Sequence, residues 1–163
     1  MGLVRDRVLA DLERLYRERH RHFVDVARAM TGDSERAAEA VQDGFADVIR
    51  SRRSFRGDGS LEAWVWGAVV NAARKAARRP LVELGAVVTD DELAAPDAVA
   101  ELAPFVAGLP ERQRLVVFLR YYADLDYRSI AAALDVEVGT VSATLASAHR
   151  SIRRALEEVQ VDA

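Results

Sequence analysis

Apolar residues recur every three or four positions through most of the first eighty residues, the spacing of one face of an α-helix. The first such stretch has the apolar positions Leu9, Leu12, Tyr16, Phe23, Ala27 and Met30, and the second has Ala38, Val41, Phe45 and Val48 or Ile49. Gly32 is the predicted end of the first helix, and Asp33 or Ser34 is the predicted N-cap of the second. The pattern predicts two successive amphipathic helices with a sharp break between them.

A third helix is predicted after the loop SRRSFRGDGS, where two glycines break the pattern and Ser60 can cap the next first turn. One side of this helix is apolar and a narrow stripe is polar. The apolar side has Leu61, Val65, Ala68, Ala72 and Ala76, and the stripe has Gly67, Asn71, Arg74 and Arg78. A third side, formed by Trp66, Val70 and Ala73, is more apolar than a solvated face should be.

The polar stripe has the chemistry of a nucleic-acid contact. Glycine lets a partner's backbone approach closely, asparagine offers a donor and an acceptor, and arginine neutralises phosphate or stacks on a base. The loop before the helix adds Arg52, Arg53, Phe55 and Arg56. Cations interleaved with an aromatic ring favour single-stranded nucleic acid, whose bases can stack. The alternative is a solvated helix face that ends in cations suited to the helix dipole.

The last third of the chain has the pattern of a helix-turn-helix. A helix is predicted to start at Pro110, a turn to follow at residues 124–126, and a short second helix to end before a tight turn at residues 135–137. The short helix has the apolar positions Ile130, Ala131 and Leu134, and the long helix after the turn has Val138, Val141, Leu145, Ala148, Ile152 and Leu156. We expect Asp135 to adopt the left-handed conformation that this turn usually gives to glycine. An ordinary helical hairpin is the alternative.

Charge divides the chain more sharply than its net value of -3 suggests. Residues 1–80 hold 16 Lys and Arg against 12 Asp and Glu, whereas residues 81–108 hold six acids and no Lys or Arg. Prolines in and around this acidic stretch indicate a linker. We therefore predict an all-α protein with a three-helix domain over residues 1–80, an acidic linker over 81–104 and a helix-turn-helix domain over 105–163.

Composition and motifs argue against an enzyme. The chain has no cysteine, which excludes disulfides and thiolate metal sites. His20 and His22 are two positions apart on a predicted helix, so they point to different sides and do not form a metal pair. The sequence contains no phosphate-binding glycine loop, nucleophile elbow or paired-carboxylate motif. It also has no apolar run of membrane-spanning length and no signal pattern, so we expect a cytoplasmic protein without a cofactor.

The two halves together resemble the extracytoplasmic-function (ECF) sigma factors, the small two-domain class of bacterial RNA polymerase specificity subunit. The stretch TGDSERAAEAVQDGFADVI is similar to the family's core-polymerase-binding helix. The stretch SFRGDGSLEAWVWGAVVNAARKAARR resembles the loop and helix that open DNA at the minus-ten promoter element. Two further stretches resemble the family's domain that reads the minus-thirty-five element. They are LPERQRLVVFLRYY and YRSIAAALDVEVGTVSATLASAHRSIRRAL. The resemblance covers nearly everything except the first few residues, the linker and the tail.

This resemblance implies a non-enzyme that binds core RNA polymerase and promoter DNA, with region 2 of the sigma fold in the first domain and region 4 in the second. An anti-sigma factor or another regulatory protein is implied as a further partner. The residues implied to bind core polymerase are Glu39, Gln42, Asp43, Phe45 and Asp47. Those implied to contact the minus-ten element are Phe55, Arg56, Gly57, Asp58, Asn71, Arg74, Lys75 and Arg78, the first four around a flipped-out base. Those implied to contact the minus-thirty-five element are Thr140, Ser142, Ala143, Thr144, Ser147, His149, Arg150 and Arg153.

The sequence departs from the family pattern in two ways. Ser142 and Thr144 stand where the family usually has Lys and Arg early in the recognition helix, and Lys75 stands where an acid or a neutral residue is common. Hydroxyl and methyl groups can still read base edges, but the missing cations would have neutralised phosphates, which supply most of the affinity. We expect the second domain either to bind DNA weakly by itself or to have partly exchanged DNA for a protein partner.

The resemblance leaves alternatives open. The acidic linker can mimic RNA inside polymerase, or it can be a spacer that charge repulsion keeps extended. The chain can also be a sigma-like regulator whose second domain mainly binds a regulatory protein. An ordinary one-component repressor would leave the N-terminal half unexplained.

Overall fold

A computed structural model describes the backbone of residues 2–78 and 103–161, so most of the predicted linker at 81–104 lies outside the described residues. All regular elements within these ranges are helical, which confirms the all-α class. The N-terminal group consists of α1 (Gly2–Thr31), α2 (Ser34–Ser51), a 3-10 turn (Arg52–Ser54) and α3 (Leu61–Arg78). The C-terminal group consists of α4 (Ala103–Ala107), α5 (Glu111–Val117), a π-helical turn (Phe118–Tyr122), α6 (Tyr127–Leu134) and α7 (Val138–Val161).

The predicted helix ends are present in the N-terminal group. Gly32 has a positive φ of 69°, a conformation that costs glycine nothing, and α1 ends there. Asp33 is the N-cap of α2, because its side chain accepts a hydrogen bond from the backbone N–H of Arg36 at 2.7 Å. The hydroxyl of Ser60 accepts from the backbone N–H of Ala63 at 3.3 Å and so caps α3. Local polar side chains thus determine where these helices begin.

Helix α3 is buried on a broader side than its sequence pattern predicted. Its buried residues are Ala63, Val65, Trp66, Val69, Val70, Ala73 and Ala76. Leu61, Ala68 and Ala72, predicted to lie on the main apolar face, are only partly buried. The reason is that α3 packs against α1, α2 and α6 at once, so its third apolar side is core as well. The fully buried ring of Trp66 lies with its centroid 4.2 Å from that of Phe23 on α1.

Close contact between α2 and α3 depends on Gly44. A Cβ atom at this position would lie 2.8 Å from the Cα atom of Val69, closer than real Cβ atoms approach backbone. The helix interior is an unfavourable place for glycine, so the residue is explained by this packing and not by helix propensity. Hydrophobic periodicity does not reveal the contact, because glycine contributes no apolar side chain to either face.

The C-terminal group has the predicted helix-turn-helix geometry. Asp135 ends α6 in the left-handed conformation, with φ 52° and ψ 51°, and its N–H donates to the carbonyl groups of the preceding turn. Asp126 caps α6 by accepting from the backbone N–H of Ser129 at 2.7 Å, and this bond lowers the pKa of Asp126. One boundary was predicted wrongly: Pro110 is the N-cap of α5 with an extended ψ of 145°, and the helix begins at Glu111.

The two groups of helices are in contact through polar as well as apolar side chains. The guanidinium of Arg19 on α1 donates to the carbonyl oxygen of Ala123 at 2.6 Å and to Glu62 on α3 at 3.1 Å. The hydroxyl of Tyr122 donates to the carboxylate of Asp25 on α1. Buried residues of both groups also form one continuous core. The N-terminal and C-terminal helices therefore adopt a closed arrangement, in which the helix-turn-helix is docked on α1 and α3.

Replacing Gly44 with Ala should destabilise the protein by about 1–3 kcal/mol, the usual cost of inserting a methyl group into a packed interface. The clash is with backbone atoms of α3, which no side-chain rotation relieves. Gly139→Ala is the control, because it is also a helical glycine but has no other atom within 4 Å of the added Cβ. Urea unfolding should show a lower midpoint for Gly44→Ala alone. Equal midpoints would contradict the packing role of Gly44.

Replacing Tyr122 with Phe should weaken the closed arrangement by about 1 kcal/mol, the net value of a typical hydrogen bond. Burial, followed by the hydrogen bond to Asp25, raises the pKa of Tyr122 from 10.0 to about 12. Because the folded pKa is the higher one, this stabilisation is complete below pH 10 and is lost as the pH rises towards 12. The difference in the free energy of unfolding between wild type and Tyr122→Phe should therefore become smaller between pH 10 and pH 12. Tyr127→Phe, which removes a hydroxyl group from an exposed ring, is the control and should leave the free energy of unfolding at neutral pH unchanged.

Candidate polymerase-binding and nucleic-acid surfaces

The predicted docking residues of α2 lie on the side of the helix that faces solvent. Glu39, Gln42, Asp43 and Asp47 are exposed. Their spacing of three and four places them along one face of the helix. The carboxylate of Asp47 accepts from the guanidinium of Arg50 at 2.5 Å, an exposed pair. The outcome is a polar surface with carboxylate and amide groups, held in place by the apolar face on the other side of α2.

Phe45 does not belong to this surface, and its prediction as a polymerase contact needs correction. Its side chain is 5% exposed. The ring packs edge-on against Tyr16, with centroids 4.9 Å apart, and against Phe23, with centroids 5.2 Å apart. The apolar periodicity of α2 had already placed Phe45 on the core side. Its contribution is to hold α2 against α1.

The loop before α3 forms one wall of a cleft. The ring of Phe55 stacks on that of Trp64, with centroids 5.1 Å apart and an angle of 24° between the planes. Gly57 has a positive φ of 76°, which turns the loop, and Arg56, Gly57 and Asp58 are exposed. The cleft has a volume of about 590 Å³, and its lining includes Asp47, Phe55, Arg56, Asp58, Trp64, Asn71 and the α6 residues Ala132, Ala133 and Asp135.

Sequence reasoning did not single out Trp64, which the structure places in the lining of the cleft. A signal was present, because a helix capped at Ser60 places position 64 in its first turns, beside the loop that contains Phe55. Both rings of the stack are partly buried, Trp64 on α3 and Phe55 in the loop. A planar, apolar group of this kind is what an unstacked base requires of a protein surface.

The polar stripe of α3 is present, but Gly67 has a different role from the one expected. Asn71, Lys75 and Arg78 are exposed, and Arg74 is partly buried. Gly67 was expected to admit the backbone of a nucleic-acid partner. In the structure the backbone that approaches it belongs to α6, since a Cβ at Gly67 would lie 3.3 Å from the carbonyl oxygen of Ala133. The start of the stripe is therefore covered by the helix-turn-helix, and the remainder is open.

The positions of the predicted recognition helix α7 are buried, hydrogen-bonded within the domain or exposed. Val141, Leu145 and Ala148 are buried, whereas Ser142, Ala143, His149, Arg150 and Arg153 are exposed. The hydroxyl of Thr144 donates to the carbonyl oxygen of Thr140 at 2.7 Å. The hydroxyl of Ser147 accepts from the amide of Gln113 on α5 at 3.1 Å. Thr144 and Ser147, both predicted to face the major groove, thus have their hydroxyl groups engaged inside the domain.

Two further properties bear on the class of protein. Within residues 2–78 and 103–161, no group of three or more His, Asp or Glu side chains could hold a metal ion. No single helix in these ranges is both long and apolar enough to cross a membrane, and only α6 and α7 taken together, across a bend of 104°, meet such a criterion. The exposed His149 ring is 2.9 Å from the hydroxyl of Tyr121 and has a structural partner there.

Comparison with known families gives two matches that cover most of the chain. Sigma-70 region 2 matches residues 15–80, and Sigma-70 region 4 matches residues 101–158. Among curated proteins, the chain is 29% identical over 149 residues to the ECF RNA polymerase sigma factor SigM of Mycobacterium tuberculosis, covering 88% of this chain and 76% of that protein. It is also 29% identical over 134 residues to the ECF RNA polymerase sigma-E factor of Escherichia coli, covering 70% of each.

Solved structures share the fold. CnrH, in complex with the cytosolic domain of CnrY, matches with a TM-score of 0.69 at 17% identity, over 96% of both chains. The sigma factor RpoE of Bartonella quintana, in complex with the anti-sigma factor NepR, matches with a TM-score of 0.63 at 18% identity, over 96% of this chain and 98% of that one. The order of the two matched regions, and their agreement with the helices and surfaces described above, lead to one conclusion: the chain belongs to the sigma-70 family and is an RNA polymerase sigma factor of the ECF type.

Proposed function

We propose that this sigma factor docks on core RNA polymerase through the exposed face of α2 and opens the minus-ten element with the Phe55 loop and α3. In this proposal, α7 contacts the minus-thirty-five element. The region 2 domain comprises residues 1–80 and the region 4 domain residues 105–163. The chain catalyses no reaction itself, since polymerase supplies the chemistry, and it acts in the cytoplasm. The observation that carries the proposal is the aromatic cleft next to the open cationic part of α3.

The arrangement around the cleft suits a displaced single strand. Phe55 and Trp64 offer a stacking platform, and Arg56 lies beside it. Asn71 lines the same cleft and carries both a donor and an acceptor for a base edge. Further along α3, the exposed Lys75 and Arg78 are placed to neutralise the strand's phosphates. A base held in the cleft and a backbone held on α3 would together stabilise an opened duplex.

Reading both promoter elements requires the closed arrangement to open. The elements are named for positions about 25 base pairs apart, or about 85 Å along B-DNA at ~3.4 Å per base pair. In the structure, α6 lies directly against α3 at Gly67 and Ala133 and forms part of the cleft wall. The two DNA-reading surfaces therefore separate when the protein engages a promoter.

An anti-sigma protein is a second proposed partner. Both solved structures named above are complexes: CnrH is bound to the cytosolic domain of CnrY, and the sigma factor RpoE is bound to the anti-sigma factor NepR. The closed arrangement gives such a partner a target, because a protein bound across both helix groups would keep the minus-ten surface next to α6. In this view the partner regulates the sigma factor and does not replace DNA as the ligand of α7.

The central experiment is run-off transcription with purified core polymerase and genomic fragments, including the region upstream of the chain's own gene. Co-elution with core polymerase and discrete transcripts that depend on the added chain are expected. A chain that binds duplex DNA tightly without polymerase and gives no transcripts would behave as a repressor and contradict the proposal.

Asn71→Ala should reduce promoter opening by about tenfold while polymerase binding stays unchanged, since loss of one good base contact costs about 1–3 kcal/mol. Permanganate reactivity of unpaired thymines measures opening directly. Arg112→Ala, an exposed change on α5 outside the cleft, is the control. Unchanged opening with Asn71→Ala would show that this part of α3 is an ordinary solvated face.

Asp43→Arg should abolish or strongly weaken association with core polymerase, because like charges set against each other at an interface cost several kcal/mol. Its side chain is exposed, so folding and circular dichroism should not change. Glu18→Arg makes the same charge reversal at an exposed position of α1 and serves as the matched control. Equal co-elution of Asp43→Arg, Glu18→Arg and wild type would place the docking surface elsewhere.

A further inference from the structure

The open face of α7 changes its chemistry halfway along the helix. The exposed positions of the first half are Val138, Gly139, Ser142, Ala143 and Ala146, and those of the second half include His149, Arg150, Arg153 and Arg154. These positions follow a spacing of three and four, so they form one continuous stripe opposite the buried Val141 and Leu145. No Lys or Arg occurs from Val138 to Ala148. The first half of the stripe is thus small and nearly apolar.

Hydroxyl groups do not compensate for the missing cations. Thr144 donates its hydroxyl hydrogen to the carbonyl oxygen of Thr140, and Ser147 accepts from the amide of Gln113. Ser142 is the one exposed position between 138 and 148 that carries a hydroxyl. The other exposed groups in that range are the methyl groups of Val138, Ala143 and Ala146 and the bare backbone of Gly139, beside which nothing lies within 4 Å of an added Cβ.

The donors that recognise purines are absent from this half of the helix. Guanine is read by the paired donors of Arg or Lys, and adenine by the amide of Asn or Gln. The major-groove feature that suits small apolar side chains is the 5-methyl group of thymine, which packs against them. In a helix-turn-helix, the N-terminal residues of the second helix are the ones that reach base edges. Here those residues present mainly methyl groups.

The size and continuation of the stripe favour DNA over a protein as its ligand. Protein interfaces depend on large aromatic or Arg anchors in the centre of the contact. Within the first half of this stripe the largest exposed apolar side chain is Val138, at 43% exposure. Arg150 lies about 10 Å further along the helix from Ala143, where a helix leaving the groove meets the phosphates. Small groups at the bases followed by cations at the backbone are the arrangement that a groove requires.

We infer that α7 selects its upstream promoter element through thymine methyl groups, with Ala143 as the central contact, and not through bidentate recognition of guanine. The inference rests on the proposed role of α7 at the minus-thirty-five element. The cations at Arg150 and Arg153 position the helix, and the Ala143 methyl group determines the base preference. An upstream element rich in A·T pairs follows from this assignment.

The test uses the complete holoenzyme, formed from the full chain and core polymerase, on a promoter obtained by run-off transcription. Each thymidine of the upstream element is replaced in turn by deoxyuridine, which removes the methyl group and preserves base pairing. Affinity should fall about fourfold at the contacted thymine, the factor that corresponds to losing burial of one methyl-sized group. Replacing guanines with 7-deazaguanine, which lacks the N7 acceptor, should leave affinity unchanged.

A variant makes the test specific to one side chain. Ala143→Gly should weaken binding of the thymine duplex about fourfold and should no longer distinguish deoxyuridine from thymidine at the contacted position. Ala155→Gly is the control, because it has a similar cost in helix propensity on the same helix but lies beyond the first half of the stripe. This variant should keep the full loss of affinity on replacing thymidine with deoxyuridine.

Three results would overturn the inference. Affinity that depends on guanine N7 and not on any thymine methyl group would show that cations from elsewhere read the element. A deoxyuridine effect that persists in Ala143→Gly would assign the contact to another residue. Affinity indifferent to every upstream base, and to removal of the upstream duplex, would make the stripe a surface for a protein partner. If the chain forms no transcribing complex with core polymerase, the proposed function is wrong, and the inference about α7 is wrong with it.

Discussion

Burial of α3 against three other helices is the packing on which the rest of this structure depends. Trp66, Val69 and Val70 are fully buried, and the helix contacts α1, α2 and α6. Two glycines make that proximity sterically possible: Gly44 admits the backbone of α3 to α2, and Gly67 admits the backbone of α6 to α3. Because interiors are packed like organic crystals, an added methyl group at Gly44 would have to displace a helix, whereas one at Gly67 would require α6 to shift by a few tenths of an ångström.

The same packing decides which part of α3 is available for function. With most of its circumference buried, the helix keeps one open edge, and Asn71, Lys75 and Arg78 are exposed there. The first turns of α3 support Trp64 and with it the stack on Phe55. The helix-turn-helix completes the cleft with backbone from α6. A surface that we propose to hold single-stranded DNA is therefore partly built, and partly covered, by the second group of helices.

The polar contacts between the two groups are suited to an interface that opens. The Arg19 guanidinium and the Tyr122 hydroxyl each bind one group on the opposite side. Burial, then the nearby Arg19, lowers the pKa of His22, whose ring centroid lies 4.9 Å from that of Tyr122. Each of these groups can exchange its partner for water when the helices separate, so opening leaves no charge stranded in an apolar core. A purely apolar interface of the same size would resist separation more strongly.

The sequence by itself determined the helical class, most of the helix boundaries and the family. Those properties depend on local signals: the apolar period, the caps at Asp33 and Ser60, the left-handed Asp135 and motifs in a fixed order. It also indicated the stripe on α3 and the cation-poor first half of α7. Tertiary structure decided which residues are available, because exposure depends on partners distant in sequence. Phe45 lies in the core, Gly67 faces Ala133, and Ser147 is bonded to Gln113. The contacts of Gly67 and Ser147 do not follow from periodicity, since each joins residues whose separation along the chain is unrelated to any helical repeat, whereas the apolar period of α2 had already placed Phe45 on the core side.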